Sequence, residues 1–377
     1  AEDIRSAVSD SLQHADLVIT TGGLGPTCDD RTRELIAGLL DRKLHFSPEV
    51  EAQIRHYFES RGRVVPARTK VEANVPEGAT VLPNRNGTAP GLVLRVDPNR
   101  FRRDGKASVL IMLPGPPREL RPMFLDQVLP LVEREFPRSE PFVCRTLKTT
   151  GLGESLLEER LTGPLQHLTS AGLDLGFCAR VGEVDVRFVA QGGRAPAMAA
   201  EAEAITRRLA GEFIYGEEEE TLEVAVVRAM AGRGLKLAVA ESCTGGAISN
   251  RITNVPGASA VLLAGYVTYS NACKVSALGV QPATLESQGA VSEAVAREMA
   301  EGARRASGAD YALSTTGIAG PDGATPGKPV GTVWMAVAGP DGTQAASQLN
   351  AFDRETFKFV TGQQALAMLL SRVRAGR

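Results

Sequence analysis

Two apolar strands in this sequence run directly into glycine-rich turns that open helices. LVITT at 17–21 is followed by GGLG, and LKLAVAE at 235–241 is followed by SCTGG. A strand, a glycine turn and a helix in this order are the building unit of α/β domains, because glycine permits the tight reversal between the two elements. Ligands of such domains bind at the carboxyl ends of the strands, so both turns are candidate sites.

The first third of the chain alternates between helix and strand patterns. Helices are predicted at 2–14 and near 31–40, on either side of the strand at 17–21. Such alternation is typical of an α/β layer with a mostly parallel sheet. Further on, the apolar runs GLVLRV (91–96) and SVLIML (108–113) flank a basic connection with an Asp–Gly turn signal, which predicts a solvated hairpin tip.

Shifts in pattern divide the chain into three parts. Residues 1–137 form the first α/β domain, and because the chain opens on a helix that leads into a strand, we expect this domain to be truncated at its N-terminus. Residues 138–216 are predicted to be a small α+β unit in which FCARVGEVDVRFVAQG forms one strand. Residues 217–377 alternate again, which predicts an α/β protein with two doubly wound, three-layer domains joined by a small α+β domain.

The composition is that of an ordinary cytoplasmic protein. With 42 basic against 44 acidic residues, the chain gives no electrostatic reason to expect direct nucleic-acid binding. Its five cysteines are odd in number and lack CxxC spacing, which indicates reduced thiols in a cytoplasm. No segment approaches the roughly 20 apolar residues of a membrane span, so no membrane association is expected.

The loop TTGGLGPTCDD at 20–30 is the first candidate site. Its glycines let backbone N–H groups approach a ligand, and the following helix N-terminus favours an anion. The residues that would form this phosphate loop are Gly22, Gly23, Gly25 and Thr27. Asp29 and Asp30 either cap the helix or hold a divalent metal beside a phosphate, and the residues alone leave both readings open.

Two later turns, NGTAPG (86–91) and LPGPPREL (113–120), are weak signals when taken singly. In this order, however, the three motifs resemble the molybdopterin-binding-like domain at the front of the CinA family, the competence/damage-inducible proteins. The resemblance covers residues 1 to about 137, without the family's opening strand. It implies hydrolysis of ADP-ribose or a related pyrophosphate with a divalent cation. Cys28 stands where the family often has lysine.

The last part of the chain contains no histidine. The four histidines all precede residue 217: His14, His45, His56 and His167. A nucleophilic site in residues 217–377 must therefore use a carboxylate or a lysine as its base. Lys274, in YVTYSNACKVSALGV, follows an apolar strand and lies in the first turn of a predicted helix. Partial burial there would lower its pKa and yield a neutral amine, whereas the alternative is an ordinary surface lysine.

The turn ESCTGG places three candidate nucleophiles at the end of a strand. A Ser–Lys pair is a known way to activate serine without histidine. Cys243 is the rival of Ser242, because a thiolate is intrinsically the better nucleophile. Adjacent side chains of an extended backbone face opposite sides, so the two residues cannot both face Lys274. We therefore predict that Ser242 is the nucleophile and that Cys243 packs beneath the turn.

A third glycine-rich strand exit is STTGIAGPDG at 314–323. The Thr316 hydroxyl and the backbone amides of Gly317 and Gly320 are placed there to hold a substrate phosphate. A plain long loop is the alternative. Together, AVAESCTGG, VTYSNACK, GAVSE, STTGIAGPDG and KPVGTVW occur in the order and spacing of the CinA C-terminal domain, the nicotinamide mononucleotide (NMN) amidohydrolase. The resemblance covers residues 221–377, and residues 138–216 take the place of the family's KH-like domain.

This resemblance implies a catalytic set of Ser242, Tyr269 and Lys274. Ser242 would attack the carboxamide carbon of NMN, with Lys274 accepting its proton directly or through Tyr269. Ammonia would leave and water would release nicotinate mononucleotide, with no metal or cofactor. Further substrate contacts are expected from Thr244, Gly245, Gly246, Ser270, Asn271, Thr316, Gly317 and Gly320. The resemblance also implies a homodimer that acts in pyridine nucleotide salvage.

A different class of function is a non-catalytic interaction protein. The family's association with competence and DNA damage supports this reading, in which the N-terminal domain would bind a nucleotide or a pterin. The near-neutral charge of the chain argues against direct DNA binding but is compatible with a protein partner.

Overall fold

A computed structural model describes residues 2–376. The chain forms two compact units, Ala1–Ser139 and Glu140–Arg377. The predicted boundary after residue 137 falls next to this division, whereas the parts 140–216 and 217–377 pack together within the second unit. Within the described residues, no helix combines the length and the apolar character needed to cross a membrane.

The first unit is a three-layer α/β structure. Its strands are β1 (Leu17–Thr21), β2 (Leu44–Phe46), β3 (Asn74–Pro76), β4 (Thr80–Leu82), β5 (Gly91–Val96) and β6 (Ser108–Leu113). Its helices are α1 (Glu2–His14), α2 (Thr32–Leu39), α3 (Pro48–Glu59), α4 (Pro117–Met123) and α5 (Leu129–Glu135). The main sheet has the order β1-β6-β5-β4, and β2 pairs with β3 separately.

The main sheet of the first unit is mixed rather than mostly parallel. Only β1 and β6 run parallel, because GLVLRV and SVLIML pair as an antiparallel hairpin, as the turn signal between them predicts. Alternate residues of β6 face the two helical layers. Leu110 and Met112 pack with α1 and α3, while Ile111 and Leu113 pack on the side of α4 and α5. The α/β, three-layer class is therefore confirmed.

The middle part of the chain is a four-stranded antiparallel sheet with two helices. Its elements are β7 (Phe142–Thr150), α6 (Glu154–Thr169), β8 (Asp174–Arg180), β9 (Glu183–Gln191), α7 (Ala195–Ala210) and β10 (Ile214–Glu217), with sheet order β10-β7-β9-β8. The single strand predicted for FCARVGEVDVRFVAQG is wrong, because β8 and β9 form a tight hairpin. Gly182 turns the chain there with a φ of +78°, a conformation that favours glycine.

The last part of the chain is a second three-layer α/β structure. Its strands are β11 (Leu237–Glu241), β12 (Leu262–Val267), β13 (Tyr311–Gly317), β14 (Thr332–Gly339) and β15 (Gly342–Leu349). Its helices are α8 (Leu222–Ala231), α9 (Ala247–Thr253), α10 (Asn271–Leu278), α11 (Pro282–Gln288), α12 (Glu293–Ser307) and α13 (Arg354–Ala375). The sheet order is β12-β11-β13-β14-β15.

Three neighbouring strands of this sheet position the candidate site. β12, β11 and β13 run parallel, so their carboxyl ends lie at one edge. The motifs YSNACK, ESCTGG and STTGIAG each follow one of these strands and therefore meet at that edge. Small side chains such as Ala238 and Ala312 face α12, while Val239 and Leu313 face the core shared with α8 and α13.

Candidate active site

The structure brings Ser242 and Lys274 into direct contact. Ser242 follows β11, and its N–H donates to the carbonyl of Thr315 on β13 at 3.0 Å, which extends the strand ladder by one residue. Lys274 lies in the first turn of α10, whose N-terminus is capped by the Ser270 hydroxyl. The Lys274 Nζ is 3.0 Å from Ser242 Oγ. The two residues that the sequence pairs from distant motifs therefore share a hydrogen bond.

The environment of Lys274 favours a neutral amine. Its side chain is 1% exposed, and burial lowers its pKa below the ordinary value of a lysine. No carboxylate within residues 2–376 forms an ion pair with it. Nζ contacts the carbonyl oxygens of Thr268 at 2.9 Å and Tyr269 at 3.4 Å. These two acceptors take the two hydrogens of a neutral amine, which leaves its lone pair facing the Ser242 hydroxyl.

Cys243 packs beneath the turn, as the alternation argument predicts. It is 5% exposed and belongs to the apolar cluster that includes Ile248 and Phe357. Burial raises the pKa of its thiol to about 12. A thiol in this environment is protonated near neutral pH and is a poor nucleophile. The structure thus separates the two rival nucleophiles by environment as well as by direction.

Glu241 holds the turn that carries Ser242, a role that the sequence analysis missed. Its carboxylate is fully buried and accepts four hydrogen bonds. Oε2 accepts from the N–H groups of Gly246 (3.0 Å) and Ile248 (3.1 Å). Oε1 accepts from the N–H (2.9 Å) and hydroxyl (2.7 Å) of Ser249. This carboxylate therefore joins the end of β11 to the start of α9. In the sequence, an acidic residue at the end of an apolar strand was only a weak signal of this role, because such a residue is usually solvated.

The backbone donors of the turn are unequally available to a ligand. The Gly245 N–H donates to the Ser242 carbonyl at 3.2 Å, and the Gly246 N–H is engaged by Glu241. Within residues 2–376, no backbone carbonyl accepts a hydrogen bond from the N–H groups of Cys243 and Thr244, although the Cys243 N–H contacts the thiol of its own side chain. The Thr244 hydroxyl is buried against that of Thr315 at 2.8 Å. Any oxyanion held by this turn would therefore receive hydrogen bonds from the first two amides after Ser242.

Tyr269 contacts Lys274 through its backbone carbonyl, while its side-chain hydroxyl is bonded to Arg354. The side chain is 61% exposed, and its hydroxyl accepts a hydrogen bond from Arg354 Nη2 at 2.8 Å. Arg354 Nη1 also donates to the carbonyl of Gly320 at 2.7 Å. Because Lys274 contacts Ser242 directly, proton transfer between them needs no tyrosine relay. Tyr269 instead joins β12 to the start of α13 through Arg354.

The other residues predicted to bind substrate differ in their exposure and in the contacts that they already make. The Thr316 hydroxyl is buried and donates to the carbonyl of Ala290 at 2.8 Å. Gly317 allows close strand packing, since a Cβ there would lie 2.8 Å from the carbonyl oxygen of Thr332. Asn271 is exposed at the start of α10, and Gly320 has a φ of +75° in the loop after β13. Their roles toward a ligand remain predictions.

A basic cleft adjoins the turn and was not found from the sequence. It has a volume of about 570 Å³ and lies between α9 and α13, and its cationic side chains are Arg251, Arg354 and Lys358. A Cβ built on Gly245 would lie 3.8 Å from Lys358 Nζ, so the cleft reaches the turn. A cation in the first turn of a helix, such as Arg354, opposes the helix dipole and is therefore unusual. That pattern alone does not indicate that Arg354 and Lys358 line a cleft beside the turn.

In the first unit, the three glycine motifs meet at one edge of the sheet. A Cβ on Gly115 would lie 3.3 Å from the Cα of Gly22, so the first and third motifs touch. The second and third are joined by a hydrogen bond from Asn86 Nδ2 to the carbonyl of Arg118 at 3.1 Å. The side chain of Asn84 donates to Glu119 Oε2 at 2.9 Å. Motifs that are weak singly therefore form one continuous surface.

The acidic residues of the phosphate loop bind Thr27 rather than the helix. The Thr27 hydroxyl contacts both carboxylates, and the Thr27 N–H donates to Asp30 Oδ2 at 3.1 Å. The hydrogen bond from Thr27 lowers the pKa of Asp29. Neither aspartate caps α2, because its N-cap is Arg31. Among residues 2–376, no group of three or more His, Cys, Asp or Glu side chains is arranged to hold a metal.

Replacing Glu241 by glutamine is expected to destabilise the second unit by about 2–3 kcal/mol, because an amide nitrogen would face backbone donors in a fully buried site. The free energy of unfolding in urea measures this effect. The matched control is the Glu286→Gln change on the exposed surface of α11, which should shift that free energy by less than about 0.5 kcal/mol. Equal stability of the two variants would show that Glu241 does not hold the turn.

Comparisons with known proteins agree with this architecture. Residues 219–373 match the model of the CinA C-terminal domain, and residues 144–216 match that of the damage-inducible protein CinA KH domain. Residues 1–134 match a model described as "Probable molybdopterin binding domain".

Two curated relatives are similar over nearly the whole chain. A CinA-like protein of Akkermansia muciniphila is 45% identical over 368 residues, which are 97% of this chain and 86% of that protein. A CinA-like protein of Gemmatimonas aurantiaca is 41% identical, over 98% of this chain and 85% of that protein.

One solved structure is similar to part of the chain. The crystal structure of competence/damage inducible protein CihA from Agrobacterium tumefaciens is 38% identical, covers 41% of this chain and 93% of that one, and has a TM-score of 0.40. From its family models and its relatives, this chain belongs to the CinA family.

Proposed function

We propose that the second unit hydrolyses the carboxamide of NMN to nicotinate mononucleotide and ammonia. The observation that carries this proposal is the 3.0 Å contact between Ser242 Oγ and the buried Nζ of Lys274. A serine beside a neutral lysine is a nucleophile beside its base. The family resemblance implies the substrate and the amide that is cleaved, and the geometry supports a serine nucleophile with a lysine base.

In the first step, Ser242 Oγ attacks the carboxamide carbon while its proton passes to Lys274 Nζ. The carbonyl oxygen becomes an oxyanion, to which the N–H groups of Cys243 and Thr244 would donate, because no backbone carbonyl of the described residues accepts from them. Lys274 is then an ammonium with three hydrogens. Ser242 Oγ and the carbonyl oxygens of Thr268 and Tyr269 are the three acceptors around it.

The tetrahedral intermediate collapses when Lys274 returns its proton to the leaving nitrogen. The C–N bond breaks, ammonia leaves, and a nicotinoyl ester remains on Ser242. A water molecule then attacks the ester carbonyl with Lys274 as its base, and Ser242 leaves with the proton. The products are nicotinate mononucleotide and ammonia, so one water is consumed and no oxidant, reductant or metal enters the sequence.

The basic cleft supports a phosphorylated substrate. Arg251, Arg354 and Lys358 line it, and only Glu355 adds an acidic side chain to its lining. Two or more cations beside the turn favour a phosphate dianion over a neutral amide such as free nicotinamide. We therefore place the phosphate of NMN in this cleft and its carboxamide at Ser242.

Purified protein is expected to release ammonia from NMN, with a much lower kcat/KM for nicotinamide, because nicotinamide lacks the phosphate. Coupled detection of ammonia and chromatography of nicotinate mononucleotide measure the reaction. Binding of duplex DNA, titrated in parallel at a stated salt concentration, tests the interaction-protein alternative. DNA binding without any ammonia release would favour that alternative and would contradict the amidohydrolase proposal.

For the first unit we propose a second activity, hydrolysis of ADP-ribose or a related pyrophosphate. The convergence of its three glycine motifs at one sheet edge supports a phosphate-binding surface that includes Gly22, Gly23, Gly25 and Thr27. Asp29 and Asp30 alone do not make a protein-bound metal centre, so a divalent cation would also need oxygens from the substrate. Release of AMP from ADP-ribose, with and without Mg²⁺, measures this activity. The family resemblance further supports a cytoplasmic homodimer.

A further inference from the structure

Three side chains connect the middle part of the chain to the basic cleft. Glu183, at the start of β9, accepts a hydrogen bond from Gln363 Nε2 on α13 at 3.3 Å. The Oε1 of the same glutamine accepts from Arg251 Nη2 at 2.7 Å. Arg251 lies on α9, the helix that begins at the turn carrying Ser242, and it lines the basic cleft. We call this chain of contacts the Glu183–Gln363–Arg251 relay.

The relay has a fixed direction. A carboxylate can only accept hydrogen bonds, and a guanidinium can only donate them. Glu183 therefore holds the NH₂ end of the Gln363 amide, which obliges the oxygen of that amide to face Arg251. Gln363 is only 1% exposed, so water does not replace either partner. Glu183 and Arg251 thus fix the same orientation of the amide from its two ends.

The hairpin that carries Glu183 is held firmly against α13. A Cβ on Gly182 would lie 3.2 Å from Gln363 Cγ, so the hairpin tip touches the relay glutamine directly. The Tyr215 hydroxyl donates to Glu183 Oε2 at 2.5 Å, and burial raises the pKa of this phenol, which keeps it a donor. Arg374 at the end of α13 donates to the carbonyls of Ile214 and Tyr215.

Arg251 is held on its other side by an ion pair. Its Nη2 is 2.7 Å from Glu223 Oε2 on α8, and its guanidinium lies 5.2 Å from the centre of the Phe359 ring. The arginine is 16% exposed, so part of it remains accessible from the cleft. Without Gln363, one of its two polar anchors would be lost and the guanidinium would be free to rotate away from the cleft.

We propose that Glu183 of the middle domain is a positioning residue for the basic cleft, and that it acts on Arg251 through Gln363. The middle domain thereby sets the affinity of the C-terminal site for a phosphorylated substrate. The identity of that substrate rests on the proposed amidohydrolase function. The chain of contacts from Glu183 to Arg251 does not rest on that function, because its effect can be measured in the protein without substrate.

The test is a double-mutant cycle on NMN hydrolysis. Glu183→Gln replaces the carboxylate by an amide that can donate as well as accept, so the Gln363 amide loses its obligate acceptor and only Arg251 still orients it. This variant is expected to raise KM about 10-fold and to leave kcat within about twofold. Arg251→Met should raise KM at least as much. In the Arg251→Met background, Glu183→Gln should add less than about a twofold change, because its effect passes through Arg251.

The matched control is Glu201→Gln, an exposed glutamate of the same middle domain that pairs with His167. It should leave KM and kcat unchanged. A rise in KM from Glu183→Gln that is just as large in the Arg251→Met background would overturn the relay, as would an unchanged KM in the single variant. Melting temperatures of all variants distinguish these outcomes from loss of the fold.

Amide hydrogen exchange of Ala247–Thr253 provides the readout that needs no substrate. Glu183→Gln and Arg251→Met should each speed exchange in this helix, and the double variant should exchange no faster than Arg251→Met alone. If the wild type releases no ammonia from NMN but this pattern holds, the amidohydrolase proposal fails and the relay stands. If exchange in the helix is the same in Glu183→Gln and the wild type, the relay fails.

Discussion

Replacing Ser242 by alanine is expected to abolish ammonia release from NMN, lowering kcat by at least about 10³-fold. The side chain lost is the one that lies 3.0 Å from Lys274 Nζ, and within the described residues no other hydroxyl or thiol forms a hydrogen bond with that amine. Steady-state ammonia release measures the loss. Calorimetric binding of NMN to the variant should be retained, because the basic cleft is unchanged.

The matched control for this variant is Cys243→Ala. Cys243 is buried beneath the turn and its thiol has a raised pKa, so its removal should leave most of the turnover. The change deletes one sulfur from a core position and should cost only modest stability. If Cys243→Ala abolished turnover while Ser242→Ala retained it, the assignment of the nucleophile would be reversed.

Replacing Lys274 by methionine is expected to lower kcat nearly as far, by about 10³-fold, because Ser242 would lose its base. Methionine has similar length and fills the buried space without a proton acceptor. The wild-type kcat should increase with pH as Lys274 loses its proton. The midpoint of this increase should lie below the ordinary lysine pKa near 10.4. Arginine at this position cannot lose its proton and should also be inactive. Turnover at the wild-type rate in Lys274→Met would remove lysine from the mechanism.

The same substitution should change how stability depends on pH. Burial lowers the folded-state pKa of Lys274, so between that pKa and the unfolded value the unfolded chain binds a proton that the folded chain does not. Wild-type stability therefore rises with pH across this window and falls as the solution is acidified. Lys274→Met lacks the group, so its stability relative to wild type should be greater at about pH 8 than at about pH 10, close to the unfolded value. Urea unfolding of both proteins at the two pH values measures the difference.

The meeting of Ser242 and Lys274 could be predicted because Ser242 directly follows one parallel strand and Lys274 lies in the first turn of the helix that follows another. Parallel strands present their carboxyl ends at one edge, so local patterns were sufficient to place both residues near each other. The absence of histidine from residues 217–377 limited the base to a carboxylate or a lysine, and the position of Lys274 at the start of a helix after a strand favoured the lysine. Cys243 could likewise be assigned to the core, because alternation along an extended backbone is a local property.

Other features of the site depend on contacts that no local pattern specifies. Arg354 and Lys358 reach the turn only because α13 packs across α9, far along the chain from ESCTGG. The Tyr269 hydroxyl points to Arg354 for the same reason. Glu241 was overlooked because an acid at a strand end is usually a solvated residue, and only the folded turn shows four donors around it.

The middle domain shows the limit of periodicity as a guide. FCARVGEVDVRFVAQG has continuous alternation, yet Val181 and Gly182 reverse the chain and produce two strands. A single glycine within an alternating run was the only signal of that reversal. The hairpin matters for function, because it places Glu183 against α13.

The two carbonyl oxygens that accept hydrogen bonds from Lys274 Nζ also limit where another group can exchange a proton with that amine. Thr268 and Tyr269 occupy two directions around the amine, and the side chain is only 1% exposed, so a reacting group can approach it only beside Ser242. The nitrogen that leaves and the water that enters must therefore use the same place in succession. Ammonia that lingers there would compete with water for the acyl-enzyme and return it to the amide, so departure of the first product governs whether the hydrolysis is completed.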